Sequence, residues 1–250
     1  MRGKENAART VQNLAVRAIK THGLIQEGDR ILAACSGGKD STVLAWALAA
    51  SKRALGVNYT IEGIHISSDF CSCCKKILLQ ERLAGWGIPL TDKFVPVIGR
   101  LKGGRRMNCY WCSTQRRTEL LKFAVEGGFN KIALGHHGDD IIETFFMNLL
   151  GKGDLSAMPV ILEYRNYPVT LIRPLGYAEE RQIIAAAEEL DCMKSACTCP
   201  YGRFSARKMI RERIAAFAGG SAQKRRILRA LAEGGLLEVR RAADSAGKLL

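Results

Sequence analysis

The sequence predicts an α/β fold built on a doubly wound parallel sheet, with an N-terminal helix and a basic, helical C-terminal segment. Short apolar runs alternate with amphipathic helix patterns along the chain, which is typical of βαβ units and therefore of a parallel sheet. A turn containing two glycines follows the first apolar run, at the edge where parallel sheets bind their ligands. The 250 residues are enough for one such domain with small additions.

The individual elements follow from the spacing of the apolar residues. Residues 6–22 carry apolar side chains at helical spacing and predict the opening helix. The predicted strands cover residues 30–35, 60–67, 93–98, 131–135 and 169–173. The predicted helices cover residues 41–50, 75–86, 113–127, 139–150 and 179–190. From about residue 205 onward the chain is predicted to be helical and basic.

Charge and cysteine content narrow the possible functions. The formal net charge is +14, from 38 Lys and Arg against 24 Asp and Glu, which favours a polyanionic partner such as RNA over a merely solvated surface. Nine cysteines, an odd number in a chain without an apolar signal segment, argue for thiolates in metal or sulfur chemistry rather than a disulfide framework. No apolar run is long enough to span a membrane, so we expect a soluble, cytoplasmic protein.

The turn after the first strand has the composition of a phosphate-binding loop. Its glycines permit backbone angles and close approaches that a Cβ would forbid, and the following helix presents its N-terminal N–H groups to an anion. Serine hydroxyls and a lysine add hydrogen-bond donors and positive charge. The Walker spacing, with four variable residues before Gly-Lys, is absent. The predicted loop consists of Ser36, Gly37, Gly38, Lys39, Asp40 and Ser41.

A second motif follows the fourth predicted strand, where Gly135-His-His-Gly precedes Asp139 and Asp140. Adjacent carboxylates at the start of a helix, on the same sheet edge as the glycine loop, predict a Mg²⁺ site beside the phosphates. A helix N-cap with a favourable helix-dipole charge would equally account for one aspartate at this place, though less well for two.

The cysteines suggest a metal site. Cys109 and Cys112 form a C-x2-C pair directly before a predicted helix, whose N-terminus favours thiolates. Cys197 and Cys199 lie far downstream. Zinc and an iron–sulfur cluster both commonly take four protein ligands, so the pattern does not decide between the two. If three cysteines held a 4Fe-4S cluster, one of its irons would have no protein ligand.

Together these motifs resemble the PP-loop ATP pyrophosphatases, and in particular the tRNA 2-thiocytidine synthetase family. The glycine loop, Cys-Tyr-Trp-Cys-Ser-x-x-Arg-Arg, Gly-His-His-Gly-Asp-Asp, Arg-Pro-Leu and a late cysteine occur in that family's order between about residues 28 and 214. The resemblance implies an adenine nucleotide alpha hydrolase-like fold. It also implies a 4Fe-4S cluster held by Cys109, Cys112 and Cys199 with one open iron.

The resemblance assigns roles to further residues. Backbone groups near His65 and Ser67 are expected to meet the adenine, Arg173 to reach a phosphate, and Arg116 to stand near both cluster and phosphates. The residues expected to be catalytic are Lys39, Arg116, Asp139 and Asp140. The residues expected to bind the nucleotide are the glycine loop together with His65, Ser67, Gly135 and Arg173.

The implied reaction is ATP-dependent tRNA thiolation. The C2 carbonyl oxygen of a cytidine in the tRNA anticodon loop attacks the α-phosphate of ATP–Mg²⁺, pyrophosphate leaves, and sulfide held on the open iron then displaces AMP. A cysteine desulfurase or inorganic sulfide would supply the sulfur, and family analogy suggests a homodimer. The expected division is an N-terminal helical segment over 1–27, a PP-loop domain carrying the iron–sulfur site over 28–200 and a basic helical extension over 201–250.

Two other functions remain open from the sequence. One is a PP-loop synthetase of the amidotransferase type, which uses ammonia on a substrate other than tRNA and needs no cysteine trio. The other is a zinc-stabilised protein that binds ATP and RNA without turnover. Three further cysteines, Cys71, Cys73 and Cys74, lie outside the family pattern. Three interpretations of them remain open: a second metal site, a sulfur-carrying thiol, or packed small side chains.

Overall fold

The computed structural model describes residues 6–70, 76–103, 106–193, 206–218 and 220–242. Within these ranges the helices are α1 (Ala7–His22), α2 (Lys39–Leu55), α3 (Lys76–Gly85), α4 (Cys109–Glu126), α5 (Gly138–Lys152), α6 (Glu180–Glu189), α7 (Ala206–Ala218) and α8 (Ser221–Glu233). The strands are β1 (Arg30–Ala34), β2 (Thr60–Ser68), β3 (Leu90–Val95), β4 (Lys131–Ala133), β5 (Ile161–Tyr164), β6 (Thr170–Ile172) and β7 (Arg240–Ala242). In the described part of the chain, no helix is long and apolar enough to cross a membrane.

The strands form one sheet in the order β3-β2-β1-β4-β6-β5-β7. All neighbouring strands pair in parallel except β5 and β6, which are antiparallel. The chain winds outward from β1 through β2 to β3, and then returns to place β4 on the other side of β1. This reversal is the topological switch point at which doubly wound sheets hold their ligands, so the fold directs attention to the carboxyl ends of β1 and β4.

Strand β1 is covered on both faces, as its continuous apolar sequence requires in a parallel sheet. Ile31 and Ala33 pack against the core that includes Val11 of α1 and Leu44 of α2. Leu32 points to the opposite face and packs with Leu121 of α4. The sheet is thus fixed from both sides, and the loop that leaves β1 starts from a rigid strand.

The predicted fold class is confirmed, but several element boundaries were wrong. Strand β3 begins three residues earlier than predicted and ends at Val95, because Pro96 has no N–H for a further sheet hydrogen bond. Helix α4 begins at Cys109 because the side chain of Asn108 accepts a hydrogen bond from the N–H of Trp111 and caps the helix. The C-x2-C pair therefore lies inside the helix rather than before it.

Two short strands were missed altogether. Strand β5 runs antiparallel beside β6, and β7 continues the sheet beyond β5 within the segment predicted to be entirely helical. The rest of that segment, as far as the structure describes it, does form helices α7 and α8.

Candidate functional site

A cavity of about 410 Å³ lies at the switch point, between the glycine loop and helix α4. Ser36 and Ser41 form one side of it, and His136 and Asp140 after β4 form another. Its apolar lining consists mainly of Ile64, Ile66, Leu120, Leu121, Leu134 and Leu171. A polar loop beside an apolar wall suits a nucleotide, since the phosphates need donors and the base needs an apolar surface.

The glycine loop is held open by its own hydroxyl groups. The hydroxyl of Ser41 donates to the carbonyl of Gly38 at 3.0 Å and accepts from the N–H of Ser36 at 3.1 Å. Gly37 has φ +82°, a left-handed conformation that favours glycine. Gly38 caps α2 without any side-chain hydrogen bond to the helix, so the first N–H groups of α2 remain available to an anion.

Gly135 lets the end of β4 approach this loop closely. A Cβ on Gly135 would lie 3.0 Å from the carbonyl carbon of Asp40 and from the nitrogen of Ser41. Both atoms belong to the backbone at the start of α2. The sequence prediction placed Gly135 in the pocket, and the geometry gives it a definite role there, which is to leave room for the loop.

Lys39 lies at the edge of the site, and its positive charge is paired with two carboxylates. Its Nζ donates to Asp40 Oδ1 at 2.9 Å and to Glu180 Oε1 at 3.3 Å. Burial alone would lower the pKa of Lys39, but the hydrogen bonds and charges of Asp40 and Glu180 outweigh it and raise the pKa. The side chain does not line the cavity, so Lys39 orients Asp40 in this state of the protein.

The structure separates the two predicted metal-binding aspartates. Asp140 lines the cavity, whereas Asp139 lines a different cavity of about 100 Å³ beside α7 and α8. There Asp139 accepts from Lys224 Nζ at 2.6 Å and from the N–H of Glu180 at 2.7 Å. Asp40, which the sequence analysis assigned to the loop only, is the second carboxylate that lines the main cavity.

His137 stands between these carboxylates. Its Nε2 is 3.8 Å from Asp40 Oδ1 and 3.6 Å from Asp140 Oδ2, and its Nδ1 is 3.8 Å from Asp139 Oδ2. The side chain is only 2% exposed. His137 therefore packs between the start of α5 and the start of α2, next to both carboxylates that line the cavity.

Arg173 does not reach the cavity, in contrast to its predicted contact with a phosphate. It is 1% exposed, and its Nη1 donates to the carbonyl of Pro159 at 2.6 Å. Its Nε lies 3.3 Å from Nδ1 of His136, which does line the cavity. Burial lowers the pKa of Arg173 to about 10. Arg173 thus supports His136 from behind.

Helix α4 supplies the arginine side chains that line the cavity. Arg116 was predicted and lines the wall, with its Nη2 3.4 Å from the carbonyl of Ile66. Arg117 lines it too and was missed as a site residue. Helical spacing would have found it, because the wall residues of α4 follow one face of the helix. They are Ser113, Arg116, Arg117, Leu120 and Leu121.

The side chains of His65 and Ser67 point away from the cavity. His65 is buried on the other face of β2, with Nδ1 2.8 Å from the carbonyl of Cys35. Ser67 contacts Asp92 on β3 at 3.4 Å. Because side chains alternate along a strand, Ile64 and Ile66 are the β2 residues that face the cavity. The predicted backbone contact to adenine at this strand end stays a prediction.

The C-x2-C pair occupies the first turn of α4, directly before the part of the helix that lines the cavity. Cys109 is exposed, Cys112 is partly exposed, and Ser113, the next residue, lines the cavity. The indole N–H of Trp111 donates to the carbonyl of Val97 at 2.9 Å and fixes this turn. The third predicted ligand, Cys199, lies outside the described residues, as do Cys71, Cys73, Cys74 and Cys197. Among the residues that the structure describes, no three metal-binding side chains cluster.

The fold, the glycine loop with free N–H groups at the start of α2 and the pair of carboxylates define a protein of the PP-loop class. A family model described as the PP-loop domain matches residues 4–216. The tRNA-cytidine(32) 2-sulfurtransferase of Geobacter metallireducens is 35% identical over 234 residues, which cover 91% of each chain. The enzyme of the same name from Dichelobacter nodosus is 36% identical over 181 residues, or 71% of this chain and 67% of the relative. The chain therefore belongs to the tRNA-cytidine(32) 2-sulfurtransferase family of PP-loop proteins.

Solved structures agree on the fold. The U34-tRNA thiolase NcsA from Methanococcus maripaludis, solved with its [4Fe-4S] cluster, superimposes with a TM-score of 0.73 at 21% identity. The match covers 98% of this chain and 83% of that one. The NMN synthetase of Francisella tularensis is more distant, with a TM-score of 0.52 at 12% identity over 96% of this chain and 98% of that one.

Proposed function

We propose that this protein is an ATP-dependent tRNA sulfurtransferase that converts cytidine 32 to 2-thiocytidine. The observation that supports the proposal is the cavity itself, which is lined by the glycine loop, two carboxylates, two arginines and Ser113, the residue that follows the C-x2-C pair. Family membership supplies the substrate, because the relatives are named for this position of tRNA.

In the proposed reaction the C2 carbonyl oxygen of the cytidine attacks the α-phosphate of ATP, and the bond to the β-phosphate oxygen breaks. Pyrophosphate leaves, and the cytidine carries AMP on its former carbonyl oxygen. Sulfide then adds at C2, and AMP departs with that oxygen. The product keeps the sulfur, so one ATP is converted to AMP and pyrophosphate for each thiocytidine formed.

The glycine loop would bind the pyrophosphate end of ATP. The free N–H groups at the start of α2 and the hydroxyls of Ser36 and Ser41 would donate to the phosphate oxygens. The adenine would lie against the apolar wall, where Ile64 and Ile66 face the cavity. Mg²⁺ would be held by Asp40 and Asp140, because these carboxylates reach the cavity and Asp139 does not.

Arg116 and Arg117 would stabilise the negative charge that develops on the α-phosphate and on the departing pyrophosphate. Both guanidinium groups lie on the α4 wall, across the cavity from the loop that would hold the phosphates. Positioned cations lower a barrier most when they face the atoms where charge develops. Lys39 and Arg173, first expected in this role, would act by holding Asp40 and His136 in place.

The two cysteines at the start of α4 fit a metal centre. Cys109 and Cys112 share the first turn of the helix, and Cys109 is exposed. Cys199 would complete a trio, which leaves one position of a 4Fe-4S cluster open. When bound, such a cluster supplies a site for sulfide next to the activated carbonyl, and a cysteine desulfurase or inorganic sulfide would deliver the sulfur.

The proposal is tested with protein purified without oxygen and an unmodified tRNA transcript that carries cytidine at position 32. ATP, Mg²⁺ and sulfide are added, and the nucleosides are analysed by mass spectrometry. We expect 2-thiocytidine, with AMP and pyrophosphate in equal amounts. The Cys112→Ser variant should lose iron and thiolation while it still binds ATP. Normal thiolation by that variant, or zinc in place of iron in active wild-type protein, would refute the assignment of the metal centre.

A further inference from the structure

A further concave surface lies between α1 and α8, away from the nucleotide cavity. Its cavity has a volume of about 190 Å³. Three arginines line it, Arg17 from α1 and Arg225 and Arg229 from α8, together with Tyr177. We call these four residues the arginine groove. Its remaining lining is apolar, from Leu14, Leu228 and Ala232. Folding brings these arginines together from distant parts of the chain.

The arginine groove keeps an excess of positive charge. Arg225 Nη1 forms an ion pair with Glu179 Oε1 at 2.8 Å, but Glu179 also pairs with Arg181 at 2.9 Å. Arg17 lies over the ring of Tyr177, 5.5 Å from its centroid. Arg17 and Arg229 have no carboxylate within ion-pair distance among the described residues. Both side chains are exposed and are therefore available to an anion.

The floor of the groove is neutral and fixed. The hydroxyl of Tyr177 is 2.7 Å from Nε2 of His22, and the two rings meet edge to face. Burial lowers the pKa of His22, although the charge of Glu238 opposes this, so the imidazole is uncharged at neutral pH. Burial raises the pKa of Tyr177 against the effect of Arg17, so its phenol stays protonated. Glu179 borders the groove, and its charge is shared by two arginines, Arg181 and Arg225.

The groove borders the nucleotide site through α8. Lys224 of α8 binds Asp139, the neighbour of Asp140 in the cavity wall, and the next residue, Arg225, lines the groove. Arg225 also contacts Glu179, directly before helix α6, whose first N–H binds Asp139. A long polyanion bound in the groove would therefore run along the flank of the site at which a nucleobase is activated.

We propose that the arginine groove binds the sugar–phosphate backbone of the tRNA substrate outside the catalytic cavity. Arginine is suited to this role, because its planar guanidinium group makes two parallel hydrogen bonds to one phosphate. A concave surface with two guanidinium groups that pair with no carboxylate of the described residues fits successive phosphates of one strand. The inference rests on the proposed function, since it names where that tRNA is held.

The test compares two double variants with the same change in charge. The groove variant is Arg17→Ala/Arg229→Ala, and it leaves Arg225 in place to keep Glu179 paired. The control is Arg9→Ala/Arg226→Ala, which also removes one arginine from α1 and one from α8, both exposed and both outside the groove. Binding of the unmodified tRNA transcript is measured by filter binding from 50 to 300 mM KCl, and ATP binding by calorimetry checks the fold.

We expect the groove variant to bind tRNA about tenfold more weakly, and its plot of log affinity against log salt to be shallower by roughly 1.5 to 2, since two phosphate contacts are lost. The control should keep a slope close to that of the wild type, and ATP affinity should be unchanged in both. Equal affinities and slopes for the two double variants would refute the groove as the tRNA site. Failure of the wild-type protein to bind or thiolate the transcript would instead refute the proposed function.

Discussion

The Gly135→Ala substitution tests whether the close approach of β4 to the glycine loop sets the affinity for ATP. The new Cβ would lie 3.0 Å from two backbone atoms of Asp40 and Ser41 and 3.1 Å from the carbonyl oxygen of Asp40. Comfortable contacts at a Cβ begin near 3.4 Å, so the start of α2 must move by about 0.4 Å, because backbone atoms cannot rotate away as a flexible side chain can.

This displacement moves the N–H groups that would bind the phosphates. An error of 1 Å in a catalytic geometry costs about 100-fold, so about 0.4 Å should weaken ATP binding roughly five- to tenfold. Overpacking should also lower the free energy of unfolding by about 1–3 kcal/mol. ATP affinity is measured by calorimetry, and stability by urea unfolding.

Gly151→Ala is the matched control. Gly151 lies within α5, and a Cβ there would meet nothing within 4 Å. Alanine is the better helix former, so the control should gain up to about 1 kcal/mol of stability and leave ATP affinity unchanged. Wild-type ATP affinity in the Gly135→Ala protein would show that the phosphates are not held by the start of α2.

Three further predictions concern single side chains. Asp140→Asn should slow pyrophosphate release about 100-fold in the presence of Mg²⁺. Asp139→Asn should keep its ATP affinity but lose about 1–3 kcal/mol of stability, because the substitution weakens the hydrogen bond from Lys224. Equal losses of activity in the two variants would contradict the separation of the two carboxylates. Arg117→Ala should lower kcat about 100-fold in an AMP-release assay, and an unaltered kcat would remove Arg117 from the site. Burial raises the pKa of the Cys35 thiol to about 12, so in folded protein freed of metal it should resist iodoacetamide at pH 8 while the exposed Cys109 reacts, as measured by mass spectrometry; rapid labelling of Cys35 would contradict its burial.

The sequence predicted the parallel part of the sheet because buried strands between amphipathic helices leave a clear periodic signal. It missed β5 and β7 because these strands have only four and three residues and are defined by pairing with distant segments. Arg240 and Arg241 in β7 carry no apolar signal at all, and their strand conformation depends on the neighbouring β5.

The sequence found the site but could not orient every side chain in it. Asp139 and Asp140 are adjacent on a helix, but consecutive helical residues point about 100° apart, so adjacency alone does not place both in one cavity, and Asp139 turns to Lys224 of α8 instead. Arg173 looked like a phosphate ligand by its motif, but its burial depends on contacts with Pro159 and His136 that no local pattern reveals. Arg117, in contrast, could have been predicted as a site residue from helical spacing, because it lies on the same face of α4 as Ser113.

The pairing of β7 with β5 has a consequence for biosynthesis. Residues 161–164 hydrogen-bond on one side to β6 and on the other to a strand made almost 80 residues later. During translation the β1-to-β6 sheet can assemble while the outer edge of β5 is still bare, and a bare edge can recruit strands from other nascent chains. The edge closes once residues 240–242 have been made and pair with β5, so delayed or truncated synthesis should show first as aggregation rather than as loss of ATP binding.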